Sequence, residues 1–253
     1  MGSVEGKVVI VTGAAGGIGV AIAEDLYAEG ATVIATARKD QQIKELSTLH
    51  GDARWNAVEL DVTDAAQVES IISGVVSRFG RLDGLVNNAG VLFPNDVPGA
   101  SLDEYEKTFD VNVKGVFLGC KHAIPHLLAS GGGSIVNFGS INSVAAEQQL
   151  ALYTASKGAV LMLTKAIAID HAAAGLRANT LCPGFVDTPL NVPHWSKFGG
   201  REELEAGLPD FQPIGRAIEP REIAQPVTFL ISDASTAITG TTFVVDGGVL
   251  AGA

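Results

Sequence analysis

The sequence has few cysteines and fewer basic than acidic residues. Cys120 and Cys182 are the only thiols in 253 residues, too few for a disulfide framework, which favours a reducing compartment. Lysine and arginine number 17 against 28 aspartates and glutamates, giving a net charge of −11. Because nucleic acids and anionic lipids attract basic surfaces, this balance argues against both as partners.

Long apolar runs are also missing. No stretch of 18 apolar residues occurs, because Lys165 and Asp170 interrupt the best candidate. The first residues, MGSVEGKVVIVTG, contain no charged segment followed by a long apolar core, so they do not resemble a signal peptide. We therefore expect no membrane partner and a cytoplasmic location.

Strand-like and helix-like segments alternate along the whole chain. Hydrophobic residues make up 47% of the sequence and charged residues 18%, which allows one sizeable core. Strands that are apolar on both faces and separated by helices are typical of a parallel sheet covered on both sides. With right-handed crossovers, this predicts an α/β fold: one domain, 1–253, with a Rossmann-type doubly wound parallel sheet of about seven strands and helices on both faces.

These segments have definite bounds. The predicted strands are Lys7–Thr12, Thr32–Ala35, Trp55–Leu60, Gly84–Asn87, Gly133–Asn137, Arg177–Leu181 and Thr242–Val245. The predicted helices include Ile18–Glu29, Ala65–Phe79, Leu102–Leu128, Leu152–Ala174 and Pro220–Ser232. Residues 188–216 break the alternation with four prolines and four glycines. Such a segment is typical of a substrate lid or loop, with a plain connector as the alternative.

A glycine-rich stretch, TGAAGGIG, follows the first predicted strand and precedes the first helix. Its glycines at 13, 17 and 19 would let backbone N–H groups and the helix N-terminus approach a pyrophosphate. The spacing differs from the commoner G-x-G-x-x-G pattern, so the setting between strand and helix supports the prediction more than the glycines alone.

The end of the second strand bears on which nucleotide binds. An acid there normally holds the adenosine ribose hydroxyls, but Ala37 occupies the position and Arg38 and Lys39 follow. Because a guanidinium can hold phosphate oxygens bidentately, we favour NADP(H) over NAD(H). NAD(H) stays open, because the glycine stretch contains no basic residue and Asp40 could accept from the ribose. Arg38 and Lys39 could also be an ordinary solvated helix start.

The pentapeptide YTASK places Tyr153 and Lys157 one helical turn apart, on the same face. Unit charges about 4 Å apart at an effective dielectric near 20 interact by about 4 kcal/mol. That is enough to lower the pKa of a phenol from about 10 toward about 7, where it can both give and take a proton.

Together with NNAG at 87–90 and CPG at 182–184, these motifs make the whole chain resemble the classical short-chain dehydrogenase/reductases. The resemblance implies that Tyr153 is the general acid/base, that Lys157 lowers its pKa, and that Ser140 polarises the substrate oxygen. It also implies that Asn112 bends its helix and holds a water against the lysine. Ser143 is a second candidate for substrate contact.

The same resemblance implies hydride transfer between a nicotinamide and a secondary alcohol or ketone. The implied cofactor residues are Gly13, Gly17, Ile18, Gly19, Ala37, Arg38, Asp61, Val62, Asn88, Ala89, Gly90, Tyr153, Lys157, Pro183, Gly184, Val186 and Thr188. No metal is implied, because His122 and His126 lie at i, i+4 without an acidic partner.

The candidate residues for a substrate pocket are largely apolar. Ser140, Asn142, Gln148, Leu190 and Trp195 are the main pocket candidates, and Phe93, Val144, His194 and Phe198 are further ones. Their largely apolar character favours a small molecule of moderate size without strong charge, such as an alicyclic or steroid-like ketone. A sugar or polyol fits less well, because few of these residues form hydrogen bonds.

Enoyl reduction and nucleotide binding without turnover are the two alternative functions. Enoyl reductases of the family place six residues between tyrosine and lysine, whereas this chain has three; a silent nucleotide-binding module would generally lose one of the pair. The predicted helix Leu152–Ala174 is apolar nearly all round. Together with family habit, this predicts a homotetramer or homodimer formed through that helix and Leu102–Leu128.

Overall fold

The fold is built on one seven-stranded sheet in which every neighbouring pair of strands is parallel. The computed structural model describes residues 2–252, except for the side chain of Phe198. The strands are β1 (Val8–Val11), β2 (Thr32–Ala37), β3 (Trp55–Glu59), β4 (Gly84–Asn87), β5 (Gly133–Phe138), β6 (Leu176–Pro183) and β7 (Thr242–Val245).

Helices connect successive strands. They are α1 (Gly17–Ala28), α2 (Asp40–Ser47), α3 (Ala65–Phe79), α4 (Leu102–Phe109), α5 (Gly115–Ala129), α6 (Ala151–His171), α7 (Val192–Trp195), α8 (Arg201–Phe211) and α9 (Pro220–Ile231). A π-helical turn, Asp110–Lys114, joins α4 to α5, so the predicted helix Leu102–Leu128 is interrupted at its centre. Short 3-10 helices occur at Ile141–Ser143, Ala172–Ala174, Pro189–Asn191, Ser196–Phe198, Asp233–Ser235 and Val249–Gly252.

The strand order is β3-β2-β1-β4-β5-β6-β7, which confirms the doubly wound Rossmann-type fold. The order reverses between β1 and β4, and ligands of such sheets bind in the crevice at the carboxyl ends of the strands at this point. The segments following β1, β4 and β5 therefore meet there. They carry the glycine-rich stretch, Asn88 and Ser140 respectively.

Alternate residues of the strands pack on opposite faces of the sheet, as two-sided burial requires. Val9 and Val11 of β1 pack on one face in the core that includes α1 and α9. Val8 and Ile10 pack on the other face, in the core that includes α3, α5 and α6. Both cysteines are buried and free.

Residues 188–216 form short helices rather than an irregular loop. The segment contains Pro189–Asn191, α7, Ser196–Phe198 and α8. Lys197 fastens it to the body of the protein by donating to the carbonyl oxygen of Pro94 and, at 2.9 Å, to Asn95 Oδ1. Arg201 also pairs with Asp187. These tertiary contacts hold residues 188–216, here called the lid, over the sheet edge.

One helical stretch, Ala151–Ala174, is long and apolar enough to cross a membrane by length and composition alone. It contains α6, whose Val160 belongs to the core beneath the sheet and whose Lys157 is only 4% exposed. The core helix of a globular protein meets the same criterion, and one face of α6 packs against β6 and β5.

Candidate active site

Two adjoining clefts open at the carboxyl edge of the sheet. The nucleotide cleft is lined by the glycine-rich stretch and by residues following β2, β3 and β4, and the catalytic cleft by residues around Ser140, Tyr153 and the lid. The two share Ile18, Asn88, Gly90, Thr188 and Leu190. Each of the seventeen residues implied for the cofactor lines one or both clefts.

The glycine-rich stretch has the geometry of an anion cradle. Gly13 has a φ of +64°, and a Cβ on Gly19 would lie 2.2 Å from the Gly13 carbonyl oxygen, so neither position accepts a larger residue easily. Helix α1 begins at Gly17 without a side chain capping its first N–H groups and without an acidic residue in its first turn. These free donors fit a pyrophosphate.

Thr12 and Asn88 hold this cradle in place. Asn88 Nδ2 donates to the carbonyl oxygens of Thr12 and Gly13, both at 3.0 Å. Thr12 Oγ1 accepts in return from the N–H groups of Asn88 at 3.0 Å and Ala89 at 3.1 Å. The side chain of Thr12 thus positions the cradle, a role that the sequence did not assign to it.

The far end of the nucleotide cleft carries opposite charges. Arg38 is exposed and lines the cleft, as does Asp61. Burial raises the pKa of Asp61, but hydrogen bonds from Thr63 and the nearby charge of Arg38 outweigh burial and hold that pKa below its ordinary value. The cleft therefore offers one cation and one anion at the end where an adenosine would lie.

Asp40, the alternative ribose acceptor, is turned elsewhere. Its carboxylate pairs with Lys44 at 2.6 Å along α2, and it does not line the nucleotide cleft. Gln42 of α2 does line the cleft, although no sequence motif marked it as a site residue. The side chain of Gln42 also accepts from the N–H of Lys39 at 3.3 Å.

Tyr153 and Lys157 lie on one face of α6 and are both buried, at 8% and 4% exposure. Lys157 Nζ donates to the Phe138 carbonyl oxygen at 2.7 Å and lies 5.5 Å from the centre of the Tyr153 ring. Burial lowers the pKa of Lys157 to about 8. Burial also raises the pKa of Tyr153 to about 12, although a hydrogen bond with Ser140 opposes this rise.

The structure differs here from the expectation that Lys157 brings the phenol pKa toward neutrality. The ammonium of Lys157 is directed to the Phe138 carbonyl, and the loss of water around the phenol dominates. Burial therefore keeps the phenolic proton on Tyr153 at neutral pH in the protein alone.

Ser140 follows β5 and faces the catalytic cleft, while Ser143 braces the turn behind it. Ser140 Oγ donates to Asn142 Oδ1 at 3.0 Å and accepts from the Asn142 N–H at 3.1 Å. Ser143 Oγ accepts from the Ser140 N–H at 3.2 Å and donates to the Lys157 carbonyl oxygen at 3.0 Å. Ser143 does not line the cleft.

Asn112 lies in the π-helical turn and is fully buried. Its Oδ1 accepts from the Val91 N–H at 2.8 Å, and its Nδ2 donates to the Val91 carbonyl at 3.0 Å and to Ser156 Oγ at 3.1 Å. The side chain thus ties the segment after β4 to α6. Isolated π-helical turns are frequent at functional sites, and a Cβ on Gly90 would lie 3.4 Å from Asn112 Oδ1 and 3.8 Å from Lys157 Nζ.

The substrate expectations hold only in part. Asn142, Leu190 and His194 line the catalytic cleft together with Ser140. Four of the predicted pocket residues do not line the catalytic cleft: Phe93, Val144, Gln148 and Trp195. The side chain of Phe198, a further candidate, lies outside the described residues.

Two of these differences have clear physical reasons. Gln148 is exposed, because the segment before α6 turns Glu147 inward and Gln148 outward. Trp195 is buried within the lid, edge-on to Phe185 with ring centres 6.4 Å apart and beneath Arg201. Glu147 is one of several cleft residues that were not predicted, with Leu92, Leu150 and Phe211 among the others. The alternation of side chains within an irregular segment cannot be read from sequence.

Known proteins resemble this chain over almost its whole length. Residues 13–250 match a family model described as Enoyl-(Acyl carrier protein) reductase. The chain is 36% identical over 251 residues to 2-(R)-hydroxypropyl-CoM dehydrogenase of Xanthobacter autotrophicus, covering 95% of this chain and 97% of that protein. It is 36% identical over 247 residues to meso-2,3-butanediol dehydrogenase of Serratia marcescens, covering 98% and 96%.

A solved structure is similar as well. Ligand-free aldohexose dehydrogenase of Thermoplasma acidophilum has a TM-score of 0.87 and 36% sequence identity, covering 98% of this chain and 95% of that one.

Proposed function

The chain belongs to the short-chain dehydrogenase/reductase family and is an oxidoreductase of the alcohol dehydrogenase type, and we propose that it interconverts a secondary alcohol and a ketone. The observation that carries this proposal is the convergence of Ser140, Tyr153 and Lys157 on a cleft that adjoins the anion cradle. A nicotinamide nucleotide, when bound, supplies or accepts the hydride. The chain's own residues would bind it, orient the substrate and move the proton.

In this proposal Tyr153 Oη exchanges a proton with the substrate oxygen, and Ser140 Oγ donates a hydrogen bond to the same oxygen as charge develops on it. Burial keeps the phenol protonated at neutral pH, so Tyr153 is ready to act as the acid in ketone reduction. Lys157 Nζ would contribute positive charge beside the pair and bind the nicotinamide ribose. Asn112 would act as a positioning residue through Val91 and Ser156.

Enoyl reduction is the second candidate, because the matching family model carries that description. Three residues separate Tyr153 from Lys157, whereas the enoyl reductases of the family have six. To test the proposal, purified protein is mixed with a reduced nicotinamide nucleotide and either a set of ketones or an enoyl thioester, and nicotinamide absorbance is followed. Turnover of ketones supports the proposal; turnover of the enoyl thioester alone would overturn it.

We further propose that NADP(H) is the preferred nucleotide. Arg38 is exposed at the end of the nucleotide cleft, where an adenosine 2′-phosphate would lie. The Asp40 carboxylate forms an ion pair with Lys44 instead of lining the cleft. A guanidinium can hold two phosphate oxygens at once. NAD(H) is the alternative, with Asp61 or backbone groups contacting the ribose.

Replacing Arg38 with alanine should weaken NADPH binding about 10- to 100-fold, which is the usual contribution of a hydrogen-bonded charge. NADH affinity should change by less than about threefold. Nicotinamide fluorescence titrations measure both, and Lys39→Ala is the matched control, since Lys39 is exposed beside Arg38 but does not line the cleft. Tighter binding of NADH than of NADPH by the unmodified protein would contradict the preference.

We also propose that the protein assembles as a homotetramer or homodimer in the cytoplasm. Several large apolar side chains of α4, α5 and α6 are exposed in the single chain, among them Leu102, Phe117, Met162 at 63% and Ile169 at 82%. Burying such a surface in a second copy would be favourable. Light scattering at micromolar concentration should give two or four times the 26.1 kDa chain mass, and a mass of one chain would contradict the proposal.

A further inference from the structure

One wall of the catalytic cleft carries polar groups that the proposed proton transfer does not use. Glu147 and His194 both line it, and His194 Nε2 lies 3.6 Å from Glu147 Oε1. Asn142 Nδ2 donates to the other carboxylate oxygen of Glu147 at 3.4 Å. Asn142 Oδ1 in turn accepts from Ser140 Oγ. A chain of polar contacts therefore runs from the catalytic serine to Glu147 and on to the lid.

Glu147 is held in this position by anchors on both sides of its segment. Before it, Ser143 Oγ is bonded to the Lys157 carbonyl oxygen. After it, Leu150 pairs with Asn95 in a parallel bridge, and Gln149 adopts a left-handed φ of +60°, which is unusual for a residue other than glycine. The carboxylate is therefore presented to the cleft by a fixed backbone.

The carboxylate lines the same cleft as Ser140 and Tyr153. Burial raises the pKa of Tyr153, and the charge of Glu147 adds to this rise. Its side chain keeps 30% exposure and that of His194 keeps 13%, so both can still reach a ligand. The remaining lining is largely apolar, including Leu92, Leu150, Val186, Leu190 and Phe211. Glu147 is the acidic residue among those that line the cleft, where the other polar groups include Asn88, Thr188 and Asn191.

We propose that Glu147 and His194 form a subsite that binds a second hydroxyl group of the substrate, so that the preferred substrate is an uncharged diol, polyol or hydroxyketone. This inference rests on the proposed alcohol–ketone function and names its substrate class. The Glu147 carboxylate accepts a hydrogen bond from this hydroxyl, while His194 closes over it from the lid. The conclusion reverses the expectation from sequence that a polyol fits less well.

Charge and desolvation give the subsite its selectivity. A substrate with a carboxylate or sulfonate in this subsite would be repelled by Glu147, since like charges at close range are unfavourable in a partly buried site. A substrate with an apolar group there would displace water from the carboxylate without replacing the lost hydrogen bonds. Sites built to bind a hydroxyl group discriminate against analogues that lack it for this reason.

The test compares kcat/KM for cyclohexanediols, cyclohexanol and 2-hydroxycyclohexanecarboxylate. The unmodified protein should prefer at least one diol isomer to cyclohexanol by about tenfold or more and should turn over the carboxylate least. In Glu147→Gln, which keeps the shape but removes the charge, the ratio of diol to cyclohexanol should fall about tenfold, mainly through KM for the diol. The ratio of kcat/KM for 2-hydroxycyclohexanecarboxylate to kcat/KM for cyclohexanol should rise in this variant. Taking ratios cancels any effect that is common to all three substrates.

Two further variants make the result decisive. His194→Gln changes the side of the subsite that the lid supplies. Like Glu147→Gln, it should lower the ratio of kcat/KM for the diol to kcat/KM for cyclohexanol. Glu69→Gln makes the same charge change at an exposed position of α3 that lines neither cleft, and should leave the ratio unchanged. Two outcomes would overturn the subsite and leave the proposed function standing, provided that cyclohexanol is turned over. One is a diol-to-cyclohexanol ratio of kcat/KM near one in the unmodified protein; the other is a ratio that Glu147→Gln does not change. Failure of all secondary alcohols and ketones would instead reject the proposed function.

Discussion

Tyr153→Phe should lower kcat for secondary alcohols and ketones by at least a hundredfold. The substitution removes only the phenolic oxygen, and a positioned acid/base group typically contributes 10²- to 10⁴-fold. The ring remains buried between the same neighbours, so NADPH affinity should stay within about threefold of that of the unmodified protein. Steady-state rates and nicotinamide fluorescence titrations on the same preparations separate chemistry from binding.

Tyr105→Phe is the matched control for this experiment. Tyr105 is 47% exposed on α4 and lines neither cleft, so removal of its hydroxyl should leave kcat unchanged. Activity of Tyr153→Phe above about a hundredth of the unmodified value would show that another group moves the proton. Ser140 would then be the first residue to examine, because its hydroxyl faces the same cleft.

Lys157→Met should abolish most activity and also change how stability depends on pH. Burial lowers the pKa of Lys157 from 10.5 to about 8, so between these values the unfolded chain binds a proton that the folded chain does not. The lysine's stability contribution is present above pH 10.5 and is lost as the pH falls through about 8. The unmodified protein should therefore gain about 2 to 3 kcal/mol in free energy of unfolding, relative to Lys157→Met, between about pH 7 and pH 10.

Urea unfolding of both proteins at a series of pH values measures this difference. The comparison between proteins matters because removing the ammonium also leaves the Phe138 carbonyl without its donor, a cost that does not depend on pH. Lys121→Met, at an exposed position of α5, should show no such pH-dependent difference. A constant difference between Lys157→Met and the unmodified protein over this range would mean that Lys157 keeps an ordinary pKa in the fold.

The sequence predicted the local elements well wherever a strong pattern repeats over several residues. The helix Ala65–Phe79 and the strand Gly84–Asn87 have the predicted bounds, and the other predicted strands are correct to within two residues. For helix α2 the sequence offered only a helix start at Arg38 and Lys39 as one alternative and no bounds, because α2 is short and largely polar and has only Leu46 buried. The π-helical turn at Asp110–Lys114 also escaped prediction, since its extra residue per turn leaves no signature beyond an asparagine in a helix.

By itself, the sequence determined the α/β fold, the anion cradle and the residues that meet at the sheet edge. Apolar periodicity and short motifs are properties of neighbouring residues, and a parallel sheet brings the ends of its strands together whatever the detailed packing. Only the tertiary structure decided that Glu147 and not Gln148 enters the cleft, that Trp195 packs inside the lid, and that burial raises the pKa of Tyr153. Each of these depends on burial and on contacts between segments far apart in the chain, because the water a side chain loses and the partner it gains are set by the whole fold.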